Sequence, residues 1–263
     1  MLPILVAAVA VWLRLNVPSA AVTPIVAEAP APPMVVPAVA TTPKVEKIEP
    51  KPEPAPPAPA TVETLKVPGD HPASIVRGAE GTQLRTVFVP GLCSNANAYL
   101  QGFPEAARKH GGVIAIDGDQ PCAPGFRSFS WDAAKLDARL EAALAAAEIE
   151  PSGKEGLTLV GYSQGAALAE QLVQRWPARY TRFVLIGAPT DPGAAHFAKA
   201  RAVVTMSCSR DVPARMKDAA RRMNAATIPA TYFEMPGCTH GNIAEGDRVL
   251  GDALAWLDTN ARE

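Results

Sequence analysis

From about residue 65 onward, short continuous apolar runs alternate with stretches of helical period. The runs are LRTVFVP (84–90), VIAID (113–117), LTLVG (157–161), FVLIG (183–187), AVVTMS (202–207) and ATYFEM (230–235). Each is five to seven residues long, rich in β-branched side chains and closed by Gly, Pro or polar residues, the signature of a strand buried on both faces. Between them the spacing predicts helices over 98–110, 131–148, 166–176, 194–200, 212–223 and 243–257. The second carries leucines at 136, 140 and 144 on one face, and Pro151-Ser152-Gly153 ends it. Strands alternating with helices in this way imply βαβ units with right-handed crossovers. The expected fold is therefore α/β, a three-layer sandwich around a mainly parallel central sheet.

The N-terminal part follows neither period. Thirteen of the 27 prolines lie between Pro18 and Pro59, in a stretch without an aromatic residue. Proline fixes φ and removes a donor, so such a chain favours extended polyproline II over a packed core. Residues 22–64 are expected to be a disordered Pro/Ala-rich spacer, and 65–263 the folded domain. Ahead of the spacer, MLPILVAAVAVWL is too short for a membrane span of about 20 residues but suits a signal-peptide core. Ser19-Ala20-Ala21 offers small residues for cleavage. Residues 1–21 are thus expected to be an export signal or a short N-terminal anchor, with residues 1–17 as the tether. The chain is then periplasmic, held at the cell envelope, or secreted. A formal charge of −1 and no basic stripe argue against nucleic acid as a partner.

One run carries chemistry. LTLVG enters Gly161-Tyr162-Ser163-Gln164-Gly165, and an Ala/Leu-rich helix leaves it. A G-x-S-x-G turn between strand and helix holds its serine in a strained conformation, with the hydroxyl exposed at the strand's C-terminal end. Small residues are needed at 161 and 165 because the turn brings backbones together. The helix directs its positive end at developing negative charge, and the Gln164 N–H is the natural first oxyanion donor. On this motif, with Asp211 after a later strand and His240 in the last strand-to-helix loop, residues 84–258 resemble the α/β-hydrolases.

The resemblance implies hydrolysis of esters, thioesters or amides without metal or organic cofactor. It implies Ser163 as nucleophile, His240 as base and Asp211 as the acid that orients the base, with Asp191 as the alternative acid. In the turn after the first run, Pro90-Gly91-Leu92, proline stands where the family usually has histidine, and the Leu92 N–H is the second oxyanion candidate. Four cysteines allow three pairings. The fold that the resemblance implies favours Cys93–Cys122 and Cys208–Cys238, the second joining the acid and base loops. The short stretch 187–201 leaves no room for a large cap domain. Tyr162, Asp119, Phe126, Phe129 and His196 are candidates for the pocket rim.

The expected activity is that of a monomeric serine hydrolase cleaving carboxylic esters of small-molecule or lipid substrates through an acyl-enzyme. A serine peptidase, amidase or acyltransferase would use the same residues. A non-catalytic, envelope-tethered binding protein is the alternative from a different class.

Overall fold

The computed structural model of the chain describes residues 58–149 and 155–263. The leader, most of the expected spacer and the Pro151-Ser152-Gly153 break lie outside them. Ordered structure begins before residue 65. Glu63–Leu65 (β1) pairs antiparallel with Ala73–Arg77 (β2), so the end of the expected spacer is an edge strand of the sheet.

The chain continues through Thr86–Val89 (β3), helices Ala96–Leu100 (α1) and Pro104–Lys109 (α2), and Gly112–Ile116 (β4). A hairpin, Gln120–Ala123 (β5) and Phe126–Ser128 (β6), precedes helix Ala133–Ala146 (α3). Then come Leu157–Tyr162 (β7), Gln164–Arg175 (α4), Tyr180–Ile186 (β8), a 3-10 turn at Ala194–Phe197, and Ala202–Cys208 (β9). Pro213–Ala225 (α5), Ala230–Met235 (β10) and Gly246–Asn260 (α6) complete it. The main sheet has eight strands in the order β1-β2-β4-β3-β7-β8-β9-β10. The ladders from β4 through β10 are parallel, and β2 runs antiparallel to β4.

The continuous apolar runs are explained by the pleat, because successive strand residues face opposite sides of the sheet. Val87, Ile114, Leu159, Phe183 and Leu185 enter a core closed by α3, α4 and α5. Their neighbours Phe88, Ala115, Val160, Val184 and Ile186 enter a second core closed by α1, α2 and α6. A strand feeding both cores has no polar face to show, and this is the three-layer arrangement the alternation predicts.

Local departures have local causes. The helix expected over 98–110 is two helices, broken around Gly102-Phe103-Pro104, where Pro104 opens α2 and disfavours helical backbone at Phe103. Asp132 caps α3, its carboxylate accepting from the N–H groups of Ala134 and Lys135. The closing helix starts at Gly246, after Glu245 at φ +49°, and not at residue 243. Only the 3-10 turn separates β8 from β9, so no cap domain is inserted between these strands. Among the described residues no helix is long and apolar enough to cross a membrane.

Candidate active site

The C-terminal ends of the parallel strands converge at Ser163, which follows β7 and caps α4 at φ 50°, ψ −110°. A non-glycine residue with positive φ is strained and persists only where its surroundings fix it. Here the Ser163 N–H donates to the Ile186 carbonyl at 2.8 Å, and its own carbonyl accepts from Ala166 and Ala167. Both flanking glycines are required by space. A Cβ at Gly161 would lie 2.5 Å from the Gly165 oxygen, and one at Gly165 would lie 1.9 Å from the Val89 oxygen.

Three side chains meet in line. His240 Nε2 is 2.9 Å from Ser163 Oγ, and its Nδ1 is 2.7 Å from Asp211 Oδ2. The Asp211 side chain is 13% exposed and that of His240 44%, so the acid is sheltered while the ring stays open to a ligand. Asp191, the alternative acid, points elsewhere. It is 69% exposed and pairs with Arg215 Nε at 3.2 Å. Asp211 does not cap α5, whose cap position is Val212 without a side-chain hydrogen bond.

The acid and base loops are joined several times over. The disulfide Cys208–Cys238 links the end of β9 to the loop after β10. Around it the Arg210 N–H donates to the Cys238 carbonyl, the Ser209 N–H to the Met235 carbonyl, and the Gly237 N–H to Ser209 Oγ. Tyrosines hold the base loop from below. Tyr162 Oη accepts from the Gly241 N–H at 2.8 Å and donates to the Asn242 carbonyl at 3.2 Å, and its ring meets the imidazole edge-on at 5.5 Å. Tyr99 Oη donates to the Gly241 carbonyl at 2.8 Å. Burial pushes the Tyr162 phenol well above its ordinary value, so it remains a neutral donor.

Gly187, the last residue of the fourth apolar run, has φ +53°. A Cβ there would lie 3.0 Å from Asp211 Oδ2, 3.1 Å from His240 Cε1 and 3.2 Å from its Nδ1. The space beside the acid–imidazole pair is therefore made by a missing side chain. In the sequence this residue is marked only as a strand end, and nothing local marks Tyr99 as a support.

The Pro90–Ser94 turn stands against the serine. A Cβ at Gly91 would be 3.2 Å from Ser163 Cβ. Next to it the Leu92 N–H has no acceptor among the described residues, whereas the Cys93 N–H donates to Ser128 Oγ and the Ser94 N–H to the Arg127 carbonyl. Gln164 is the first residue of α4, where N–H groups precede the intrahelical bonds. Its side chain turns away, its amide exchanging hydrogen bonds with the Phe129 backbone at 3.1 and 2.8 Å. The turn is sewn to the β5–β6 hairpin by Cys93–Cys122 and by the Ser94–Arg127 pair, with Arg127 Nη2 also donating to the Asp119 carbonyl.

Several expected rim residues have other places. Phe129 is 4% exposed and belongs to the core beneath α3. Tyr162 is 1% exposed and lies under the base loop. Asp119 is an anchor. Desolvation opposes its ionisation, but Lys135 Nζ at 2.7 Å and the Ser130 N–H at 2.7 Å outweigh that and hold its carboxyl below the usual range. His196 sits against Glu170 on α4, Nδ1 to Oε1 2.5 Å, with no contact to the Ser163–His240–Asp211 line. Phe126, by contrast, is 47% exposed at the hairpin tip. It faces a cleft of ≈ 460 Å³ that also touches Leu92, Tyr99, Gly241, Asn242 and Ile243. Among the described residues no group of three His, Cys, Asp or Glu side chains is placed to hold a metal ion.

No protein-family model matches the chain, and no curated protein matches it. Solved structures do. A fluorophosphonate-binding serine hydrolase F from Staphylococcus aureus superposes with a TM-score of 0.55 at 12% identity, over 76% of this chain and 99% of that one. Esterase PE8 gives 0.53 at 19% identity, over 71% and 97%. Carboxyl esterase 2 from the mycorrhizal fungus Tuber melanosporum gives 0.55 at 13%, over 77% and 88%. At such identities the likeness is one of fold.

Proposed function

We propose that this chain, which has the α/β-hydrolase fold, is a serine hydrolase that cleaves carboxylic esters through an acyl-enzyme. The observation that carries the reading is the unbroken line from Ser163 Oγ through His240 to Asp211, with hydrogen-bond distances of 2.9 and 2.7 Å. A serine hydroxyl alone is a poor nucleophile. An imidazole in reach of its proton, oriented by a carboxylate, supplies what it lacks.

In the proposed reaction Ser163 Oγ attacks the ester carbonyl while its proton passes to His240 Nε2. The carbonyl oxygen becomes an oxyanion beside the N–H groups of Leu92 and Gln164, which face no competing backbone demand and need not reorganise. When the tetrahedral intermediate collapses, the carbon–oxygen bond to the alcohol breaks, and the imidazolium returns its proton to the leaving oxygen. Water, deprotonated by the same ring, then attacks the acyl carbon. The acid is released and Ser163 regains its proton. Asp211 fixes the tautomer that presents Nε2 as the base and stabilises the imidazolium each time it forms. Export to an oxidising compartment belongs to the same proposal, and two disulfides support it.

The test is pre-steady-state turnover of a chromogenic ester by the full, oxidised chain. An acyl-enzyme hydrolysed more slowly than it forms gives a burst of released alcohol approaching one per chain before the steady rate. Alcohol release with neither a burst nor any dependence on Ser163 would remove the acyl-enzyme from the account. Amide substrates tested alongside decide whether peptidase or amidase activity accompanies it.

Gly187→Ala is a second test. Its methyl group would press on both members of the acid–base pair from a backbone held at φ +53°. A displacement of about 1 Å at such a site is worth about 100-fold in rate. The expected outcome in steady-state kinetics is a loss of that order in kcat, with KM little changed. An unaltered kcat would show that the pair does not need this space.

A further inference from the structure

The cleft between α1, the hairpin tip and the base loop, lined by Leu92 next to Gly91 and by Gly241 next to His240, has an unusual division of labour. Its polar side chains are already engaged. Asn95 Oδ1 accepts from the Ala98 N–H and its Nδ2 donates to the Gly125 carbonyl, while Ser94 Oγ donates to the Gly91 carbonyl. Tyr99 Oη is given to the Gly241 carbonyl, and Asn242 Nδ2 to Thr239. None of the residues lining the cleft carries a charge. What remains free to meet a ligand is apolar: Leu92 at 65% exposure, Phe126 at 47%, and Ile243.

We infer that this cleft takes an uncharged, apolar group of the substrate, with Phe126 as the residue that sets its size. The inference rests on the ester-hydrolase reading above and names the class of ester: neutral, with a medium-length aliphatic or aromatic group on one side of the ester bond. A charged group moved from water into this cleft would find no counter-charge and no side-chain donor that is not already engaged, so it is refused. An apolar one gains by covering Phe126, Leu92 and Ile243. The wall is preset. Phe126 opens β6, and the hairpin is tied to the oxyanion turn by Cys93–Cys122 and by the backbone pair Ser94–Arg127. The two readouts, substrate size and oxyanion geometry, therefore share one rigid support.

The experiment uses two ester series with the full oxidised chain. In one the acyl group grows from two to twelve carbons with the alcohol fixed. In the other the alcohol grows with acetyl fixed. The expected result is a rise in kcat/KM of at least about 10-fold toward medium length in one series, the usual worth of added methylenes in an apolar pocket. The series that responds tells whether the cleft holds the acyl or the alcohol side. Phe126→Ala removes most of that rise, chiefly through KM. Phe126→Arg reverses the charge preference, so an ester ending in a carboxylate gains about 10-fold over its neutral counterpart. Trp131→Ala, an exposed residue beside Gln171 and Arg175 in a different surface hollow, keeps the native profile. Flat profiles in both series, or a native preference for the charged ester, overturn the inference even if a fluorophosphonate labels Ser163 and the nucleophile stands. Absence of labelling and of turnover overturns both readings together.

Discussion

Alanine at Ser163, at His240 or at both lowers kcat by nearly the same factor, about 10⁶-fold, and the double variant is no worse than either single one. In the proposed reaction the two residues perform one proton transfer, so the effects coincide. Without the ring at 2.9 Å the hydroxyl keeps its proton, and without the hydroxyl the ring has nothing to activate. Asp211→Asn keeps a side chain of the same size but favours the wrong imidazole tautomer, so its loss is smaller, about 10⁴-fold. What remains in each case comes from the oxyanion donors and from binding. Folding is expected to survive, since His240 is nearly half exposed and Ser163 is not part of either core. Circular dichroism and thermal melts of the variants check this. Additive losses would mean that serine and histidine act in separate steps.

Opening the Cys208–Cys238 bridge has the next largest effect, and it acts on stability and rate together. The bridge closes a loop with a sequence separation of 30 residues. On loop entropy that is worth about 3 kcal/mol, which for a domain of this size lowers the melting temperature by about 10 °C. Its ends also lie three residues before Asp211 and two before His240. The Cys208→Ala/Cys238→Ala variant should therefore lose about 10-fold in kcat below its melting temperature. The loss stays modest because the Arg210–Cys238 and Ser209–Met235 backbone bonds and the two tyrosines still hold the loops. A variant that melts lower but keeps full kcat would make the bridge a stabiliser alone.

Much of this architecture is legible along the chain because its signals are local. A strand buried on both faces needs a continuous apolar run, and five residues around Ser163 specify a turn that few other sequences satisfy. The acid and base follow from chain order once that turn is granted. What escapes is written in contacts distant in sequence. Tyr99 reaches Gly241 across 142 residues, and Tyr162 reaches it across 79. Neither tyrosine carries a local mark of that task. The β2 strand ASIVR is only five residues long and ends on an exposed arginine, with Ser74 paired to Ala115, a neighbour that only the folded sheet provides. The β5–β6 hairpin runs through Pro121, Pro124 and Gly125, a composition that reads as loop, and it is made a hairpin by Cys93–Cys122 and by Arg127. Phe129 and Phe126 are indistinguishable in sequence, two aromatics three residues apart. The Gln164 amide clamps the backbone of the first in the core, while the hairpin tip leaves the second in the open.

An activated nucleophile at Ser163 should react with a fluorophosphonate, which labelling of the full, oxidised chain and mass-spectrometric mapping of the adduct would reveal. One phosphonyl group per chain is expected, on Ser163, absent from Ser163→Ala and strongly slowed in His240→Ala. A folded, disulfide-bonded chain that takes up no label, or takes it up equally after Ser163→Ala, would contradict it.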